Sequence, residues 1–343
     1  MRSWLVIALG SLALVSCSDT EEGTDGTDAK GFEEAGGFIE GDAALSGQDY
    51  SVIDEFTFYV SPVDVLFVID DSCSMSEEQE ALSVGFPGFF SLIEVIGDQY
   101  QIGVISTDMD NPDKSGKLRE SGGYKWIDAE TEDPFLVFEE MAGLGIEGSG
   151  IEKGIFATYT ALETLADTDN AGFLREDAAL MVVVLSDEPD FTEDSDIRLA
   201  DFRDWFASLK VDPEPGWLTF NGIVGPPPSG CSSAVGNAES GDGYIQIAEF
   251  TGGVLHSICE TPYGPAFDAM VGAIPSEEFY LSDVPDPSSI RISAKLPNGE
   301  TTYMNDEQWQ YFADENYITL NNALQDESQV FIRYLPLSLL QQQ

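Results

Sequence analysis

One stretch, Val63 to Glu77 (VDVLFVIDDSCSMSE), restricts what this chain can become more than any other. Val65 to Ile69 are apolar without interruption, the pattern of a strand buried on both faces, as in a parallel sheet covered by helices. The run stops at Asp70. Asp70, Ser72 and Ser74 follow at alternate positions, and Ser76 then caps a helix whose positive first turn carries Glu77 and Glu78. One carboxylate and two hydroxyls therefore gather at the carboxyl end of a strand, where open α/β sheets bind ligands. Hard oxygen donors suit a hard cation, so a divalent ion, magnesium first, is expected there. Ser and Asp also cluster in ordinary turns through side-chain to backbone hydrogen bonds. Agreement from distant loops is what separates the two readings.

Two further stretches agree. GSGIEKGI, from Gly148 to Ile155, opens a helix, and ALMVVVLSDEPD, from Ala179 to Asp190, is a second buried strand that ends in acids. With the first stretch they resemble the metal-ion-dependent adhesion site of von Willebrand factor A domains. The resemblance implies a Rossmann-like α/β domain, with a mostly parallel central sheet flanked by helices, over about Pro62 to Ile274. It implies a metal held by Asp70, Ser72, Ser74, Ser149 and Asp187, with Ser149 standing where the family usually has Thr and Asp187 matching its third-loop Asp. Glu188 departs from the Gly that often follows that Asp, and with Asp71 it adds negative charge beside the site. Asp71, Asp108 and Glu188 are the rim or second-site candidates, although Asp108 and Asp110 also read as a solvated acidic loop. The implied cofactor is Mg2+, with Ca2+ or Mn2+ as alternatives. In the family the hydroxyls bind the ion directly and carboxylates act through water, so the ion keeps a free position for an acidic group on a protein partner. The implied function is cation-dependent adhesion or complex assembly, not catalysis.

The amino terminus points to export. MRSWLVIALGSLALVSC has a basic start and an apolar run too short for a comfortable membrane span, as in a signal peptide. Leu14 to Cys17 resemble a bacterial lipobox, which implies that Cys17 is acylated and anchors the chain to a membrane of the cell envelope, the outer membrane if the host is a diderm. Residues 18–61 are rich in Gly and acids and read as a solvated tether. Glu55 to Val60 alternate and read as a short strand leading into the main domain. Export permits disulfides, and Cys231 with Cys259 is the favoured pair because it would clip a long loop to a strand. Cys73 is then odd, either a packed thiol or a partner for one of the others.

Composition excludes one class of partner. Of 343 residues, 63 are Asp or Glu and 14 are Lys or Arg, a formal charge of −49, so nucleic acid phosphates find too few cations to bind. Within 62–275, strands and helices alternate. A helix is expected near Glu77 to Ile96 with a kink at Pro87, a strand at Gln101 to Ser106, an edge hairpin within Gly122 to Phe138, and helices at Ile151 to Leu165 and Ile197 to Leu209. DTDNAG at Asp167 lacks the closing Glu of an EF-hand. The single histidine, His256, lies in a short strand and reads as a packed residue. No Walker loop or dinucleotide fingerprint follows a strand. From 276 to 343 the period shortens to two, with Asn298 and Gly299 at a hairpin turn, and a small antiparallel β domain is expected in which Tyr303, Trp309 and Tyr311 make core.

Two other functions compete. An exported metal-dependent hydrolase would hold a metal on Asp70 and Asp187 and need Glu188 or Asp71 as general base. No His, Lys or Arg sits within Val63 to Glu77 to stabilise a developing anion, which counts against it. A structural envelope lipoprotein would use the metal as a staple.

Overall fold

Apolar runs become strands where acids or glycines bound them, and the computed structural model, which describes residues 52–59, 61–95, 99–193, 195–210, 216–233, 236–274, 277–320, 324 and 327–340, sets the elements out as follows. Strand β1 (Val52–Phe58) precedes β2 (Val63–Ile69), helix α1 (Ser76–Val95) and β3 (Tyr100–Ser106). Helices α2 (Pro134–Ala142) and α3 (Gly154–Tyr159), the latter widened into a π turn over Thr160–Thr164, lead to β4 (Ala179–Ser186). Then come α4 (Leu199–Ala207), β5 (Leu218–Val224), a two-residue ladder of β6 (Cys231–Ser232) with β7 (Asn237–Ala238), α5 (Tyr244–Thr251), β8 (Leu255–Ser257) and α6 (Gly264–Gly272). Six antiparallel strands close the chain: β9 (Glu278–Tyr280), β10 (Arg291–Lys295), β11 (Thr301–Tyr303), β12 (Trp309–Phe312), β13 (Tyr317–Leu320) and β14 (Ser328–Tyr334).

The central sheet has the order β3-β2-β4-β5-β8, and all its pairs are parallel. Every residue of β2 and β4 is buried, as the unbroken apolar runs require. Alternate side chains serve opposite layers. Val65, Phe67 and Ile69 join Phe89 of α1, Phe138 of α2 and Phe267 of α6, while Leu66 and Val68 meet Ile155, Phe202 and Tyr244 on the other side. From β2 the chain moves to β3 on one side and returns to β4 on the other. That reversal opens a crevice at the carboxyl ends of β2 and β4, where Ile69 lies level with Leu185 and Ser106.

Several expectations change. Helix α1 runs through Pro87 as one element. Phe135 to Met141 lie on helix α2, not on a hairpin, because Pro134 starts a helix and Val137, Phe138, Met141 and Ala142 then fall on one buried face; of the hairpin only isolated bridges remain, Ser121 to Tyr124 and Ile127 to Ile102. Residues 52–58 of the expected tether are a strand, and β1 pairs not with the parallel sheet but with β14, giving the antiparallel order β1-β14-β10-β11 beside β12-β13-β9. These two sheets enclose their own core of Phe58, Phe279, Ile292, Ile318, Val330, Ile332 and Tyr334, against which Trp309 and Tyr311 pack, while Tyr303 is exposed. Asn298 Oδ1 accepts from the Glu300 N–H (2.8 Å) and Gly299 takes φ 88°, as a hairpin turn needs. The signal segment, Cys17 and the rest of the tether lie outside the described residues. Among those described, no helix is long and apolar enough to cross a membrane.

Candidate metal centre

The ends of β2 and β4 are tied together at the crevice. The Asp70 N–H donates to the Leu185 carbonyl (2.9 Å), and Ser186 Oγ donates to Asp70 Oδ2 (2.7 Å). Asp70 Oδ1 accepts from the Ser72 N–H (2.8 Å), the bond that folds the D-x-S-x-S turn. Ser72 Oγ and Ser74 Oγ lie 3.2 Å apart, and the Ser74 hydroxyl also interacts with Asp187. Asp70, Ser72, Ser74 and Asp187 thus share one locus. Asp70 is fully buried and Asp187 nearly so, whereas Ser74 is exposed at the mouth.

Two further loops frame it. Gln79 of α1 donates through Nε2 to the carbonyls of Asp70 and Gly145, each at 3.0 Å, and the Gly148 N–H donates to the Asp71 carbonyl (2.8 Å). Gly148 has to be glycine: a Cβ there would stand 2.6 Å from the Asp71 carbonyl oxygen and collide with its carboxylate. The neighbouring Ser149 makes its hydrogen bonds within its own and the adjacent loop. Its hydroxyl donates to Asp110 Oδ2 (2.9 Å) and accepts from the Ile151 N–H (3.1 Å). Glu152 is the side chain this loop buries completely. Its Oε2 accepts from Thr107 Oγ1 at the end of β3.

The rim residues have other partners. Asp71 accepts from Ser106 Oγ (2.8 Å) and pairs with Lys114, which also lies 3.3 Å from Asp108. Asp108 Oδ1 takes the N–H groups of Asp110 and Asn111 at 3.0 and 3.1 Å, so its carboxylate organises its own turn. Lys114, distant in sequence, therefore stands beside the motif, but two carboxylates hold it. Glu188 is half-buried, its N–H on Ser186 Oγ (3.2 Å).

Electrostatics show what the locus lacks. Burial pushes the Asp70 carboxyl up to about 6, with Asp187 adding repulsion against hydrogen bonds from Ser72 and Ser186 that pull it down. Burial raises Asp187, and the Ser74 hydroxyl only partly offsets it. Glu152 is pushed up to about 9 by burial and then by the charge of Asp70. Glu78 is raised by burial and then by the charge of Asp187, and Glu188 by burial and then by that of Asp70. Asp187 Oδ1, Glu152 Oε1 and Glu78 Oε2 are buried without a hydrogen-bond partner. The orphaned oxygen of Asp187, beside Asp70 and the hydroxyls of Ser72 and Ser74, fits a bound cation. Among the described residues no group of three His, Cys, Asp or Glu is placed so that it could hold a metal ion. A site with two hydroxyl donors does not require one.

Sequence reasoning overlooked Glu152 and Glu78. Glu78 reads as an ordinary helix-dipole acid, and Glu152 stood in the open inside GSGIEKGI, three positions beyond Ser149. Away from the site, Cys231 and Cys259 form a disulfide with Cα atoms 6.2 Å apart. Cys73 is a free and exposed thiol, not a packed one, because it sits at the tip of the turn between Ser72 and Ser74. His256 Nε2 lies 2.9 Å from the Glu260 carbonyl and its ring meets Tyr263 edge-on, a local packing role.

No protein-family model matches the sequence, and no curated protein matches it. Among solved structures, the pilus adhesin SpaC from Lactobacillus rhamnosus GG is similar with TM-score 0.35 and 13% identity, over 80% of this chain and 39% of that one. Its open conformation gives 0.34 and 13% over 82% and 42%. Proximal thread matrix protein 1 from the mussel byssus gives 0.38 and 12% over 67% and 52%. The chain thus spans 39% to 52% of the length of these structures.

Proposed function

We propose that this chain is a surface-anchored, divalent-cation-dependent protein-binding module of the von Willebrand factor A type, which captures a partner or assembles a complex through an ion at the carboxyl ends of β2 and β4. The observation that carries the reading is Asp187 Oδ1, buried and unpartnered beside Asp70 and the paired hydroxyls of Ser72 and Ser74. An ion held there, at the mouth marked by exposed Ser74, keeps a coordination position open to an oxygen group of a partner, a carboxylate in the family's manner. The Cys231–Cys259 disulfide supports an exported location, since such bonds persist in oxidising compartments. A lipid on Cys17 would hold the module on the envelope.

Hydrolysis has less support. Asp71, one candidate base, is committed to Ser106 and Lys114, and Lys114 is itself committed to two carboxylates and is not free to stabilise an anion. A pull-down from envelope extract tests the reading, with and without magnesium or calcium, using wild type and Ser72→Ala. Partner capture is expected only for wild type with cation. An identical captured set in every condition defeats the adhesion reading, and loss of thermal stability on chelation without any capture favours the staple.

A further inference from the structure

We propose that the cleft beside the carboxyl end of β3 is an anion site that receives an acidic peptide segment of a protein partner, independently of the cation proposed above. Its volume is about 400 Å³, and Lys114, Lys117, Arg119 and Lys125 line it, so four of the chain's 14 Lys and Arg meet in one place. Asp113, Glu120 and Asp169 line it too, but all three are exposed, whereas Lys114 and Lys117 are half-buried, and positive charge therefore lies deeper than negative. In a chain with 63 acids, a cation without an acidic neighbour is the exception. Lys114 is held by Asp71 and Asp108. Among the described residues no ion pair engages Lys117, Arg119 or Lys125, and Lys125 Nζ donates instead to the Asp169 carbonyl.

The backbone holds these charges in place. Asn170, 2% exposed, donates through Nδ2 to the Gly116 carbonyl (2.8 Å) and accepts at Oδ1 from the Leu118 N–H (3.0 Å), which clamps the chain on both sides of Lys117. The Arg119 N–H donates to the Val104 carbonyl of β3 (2.8 Å). Leu118 joins the core with Phe173, and the residues on either side of it, Lys117 and Arg119, line the cleft. Cations fixed this close repel one another, and an anion from outside the chain relieves that repulsion.

The occupant follows from shape and charge. Arg119 and Lys125 are exposed at an open rim, so the cleft does not enclose a free small anion as a dedicated pocket does; it suits carboxylate side chains projecting from a larger partner. A chain at −49 repels an acidic segment over most of its surface, which leaves this cleft as the landing point. It also adjoins the candidate metal centre. Ser106 and Lys114, both in its lining, bind the carboxylate of Asp71, the residue after Asp70. An acidic partner with one carboxylate on the ion thus finds a second foothold beside it.

Fluorescence anisotropy of a short labelled poly-aspartate peptide with the full chain tests this, with chelator in every arm so that the outcome does not depend on the cation. Wild type is expected to bind. The double variant Lys117→Ala with Arg119→Ala should weaken binding at least about tenfold, and Lys295→Ala, which removes an exposed cation on β10, by less than about twofold. Raising sodium chloride from about 0.05 M to about 0.3 M should weaken wild type more than the double variant. No binding by wild type, a double variant that binds like wild type, or an equal loss in Lys295→Ala overturns the proposal. Displacement of the peptide by equimolar sodium phosphate overturns it as well, since the cleft then serves a small anion. Thermal unfolding checks that each variant folds. Should the double variant fail that check, Arg119→Gln at the exposed rim replaces it, and peptide affinity equal to wild type in that variant also overturns the proposal.

Discussion

Asp64 and Asp70 are buried acids at opposite ends of β2, and only Asp64 has its own cation. Arg175 reaches it with Nε (2.8 Å) and with its backbone N–H (2.7 Å), and its Nη2 donates to the carbonyls of Val63 and Gln99. Even so, burial outweighs the arginine and lifts the Asp64 carboxyl to about 6. The native state therefore holds this proton more firmly than the unfolded chain does. Its stabilising contribution is complete below pH 4 and is lost as pH rises from about 4 to about 6, a change of about 3 kcal/mol. Asp64→Asn cannot ionise, so its stability difference between pH 4 and pH 7 in urea melts should shrink by about that amount. An unaltered difference would contradict the assignment. Asp70, Ser72, Ser74 and Asp187 were legible because each stands where an apolar run breaks, and the break marks a strand end. Glu152 was not, because in a chain with 63 acids one more Glu in a glycine-rich loop looks like a solvated charge. Its side chain is met by Thr107, which only the fold brings near.

Among elements, the parallel strands could be read because burial on both faces removes polar residues altogether. Helix α2 could not. Its FLVF core imitates a strand until Glu139 to Ala142 complete the helical face, and what decides the outcome is a packing partner remote in sequence: Phe138 stacks on Phe86 of α1 with ring centroids 3.5 Å apart and meets Phe67 of β2 edge-on at 5.2 Å. Phe138→Ala should cost about 3 to 5 kcal/mol in urea unfolding, through lost burial and a cavity between α1, α2 and the sheet. A cost below about 1 kcal/mol would mean that the layer closes over the gap and that this cluster does not position α1. Since α1 carries Gln79, the clamp on the Asp70 and Gly145 carbonyls, such a loosening should also reach the crevice. β1 misled for another reason: alternation reports that one face is buried without saying against which sheet.

For the whole molecule, charge and crosslink set the terms. A formal charge of −49 repels an acidic partner at a distance, yet at physiological salt the screening length is about 8 Å, so the final contact responds to the rim and the ion alone. The Cys231–Cys259 bond closes a loop with a sequence separation of 28. Replacing both cysteines with serine should lower stability by about 3 kcal/mol, read from denaturant midpoints, and an unchanged midpoint would show that the loop is already held by the β6–β7 ladder. The direct passage from β1 into β2 has a mechanical consequence. If the chain is moored before Val52 and a partner pulls at Ser72, tension runs from one to the other along covalent backbone through two strands in series. Neither sheet is then loaded as a zipper, and the grip should fail at the ion before the fold tears.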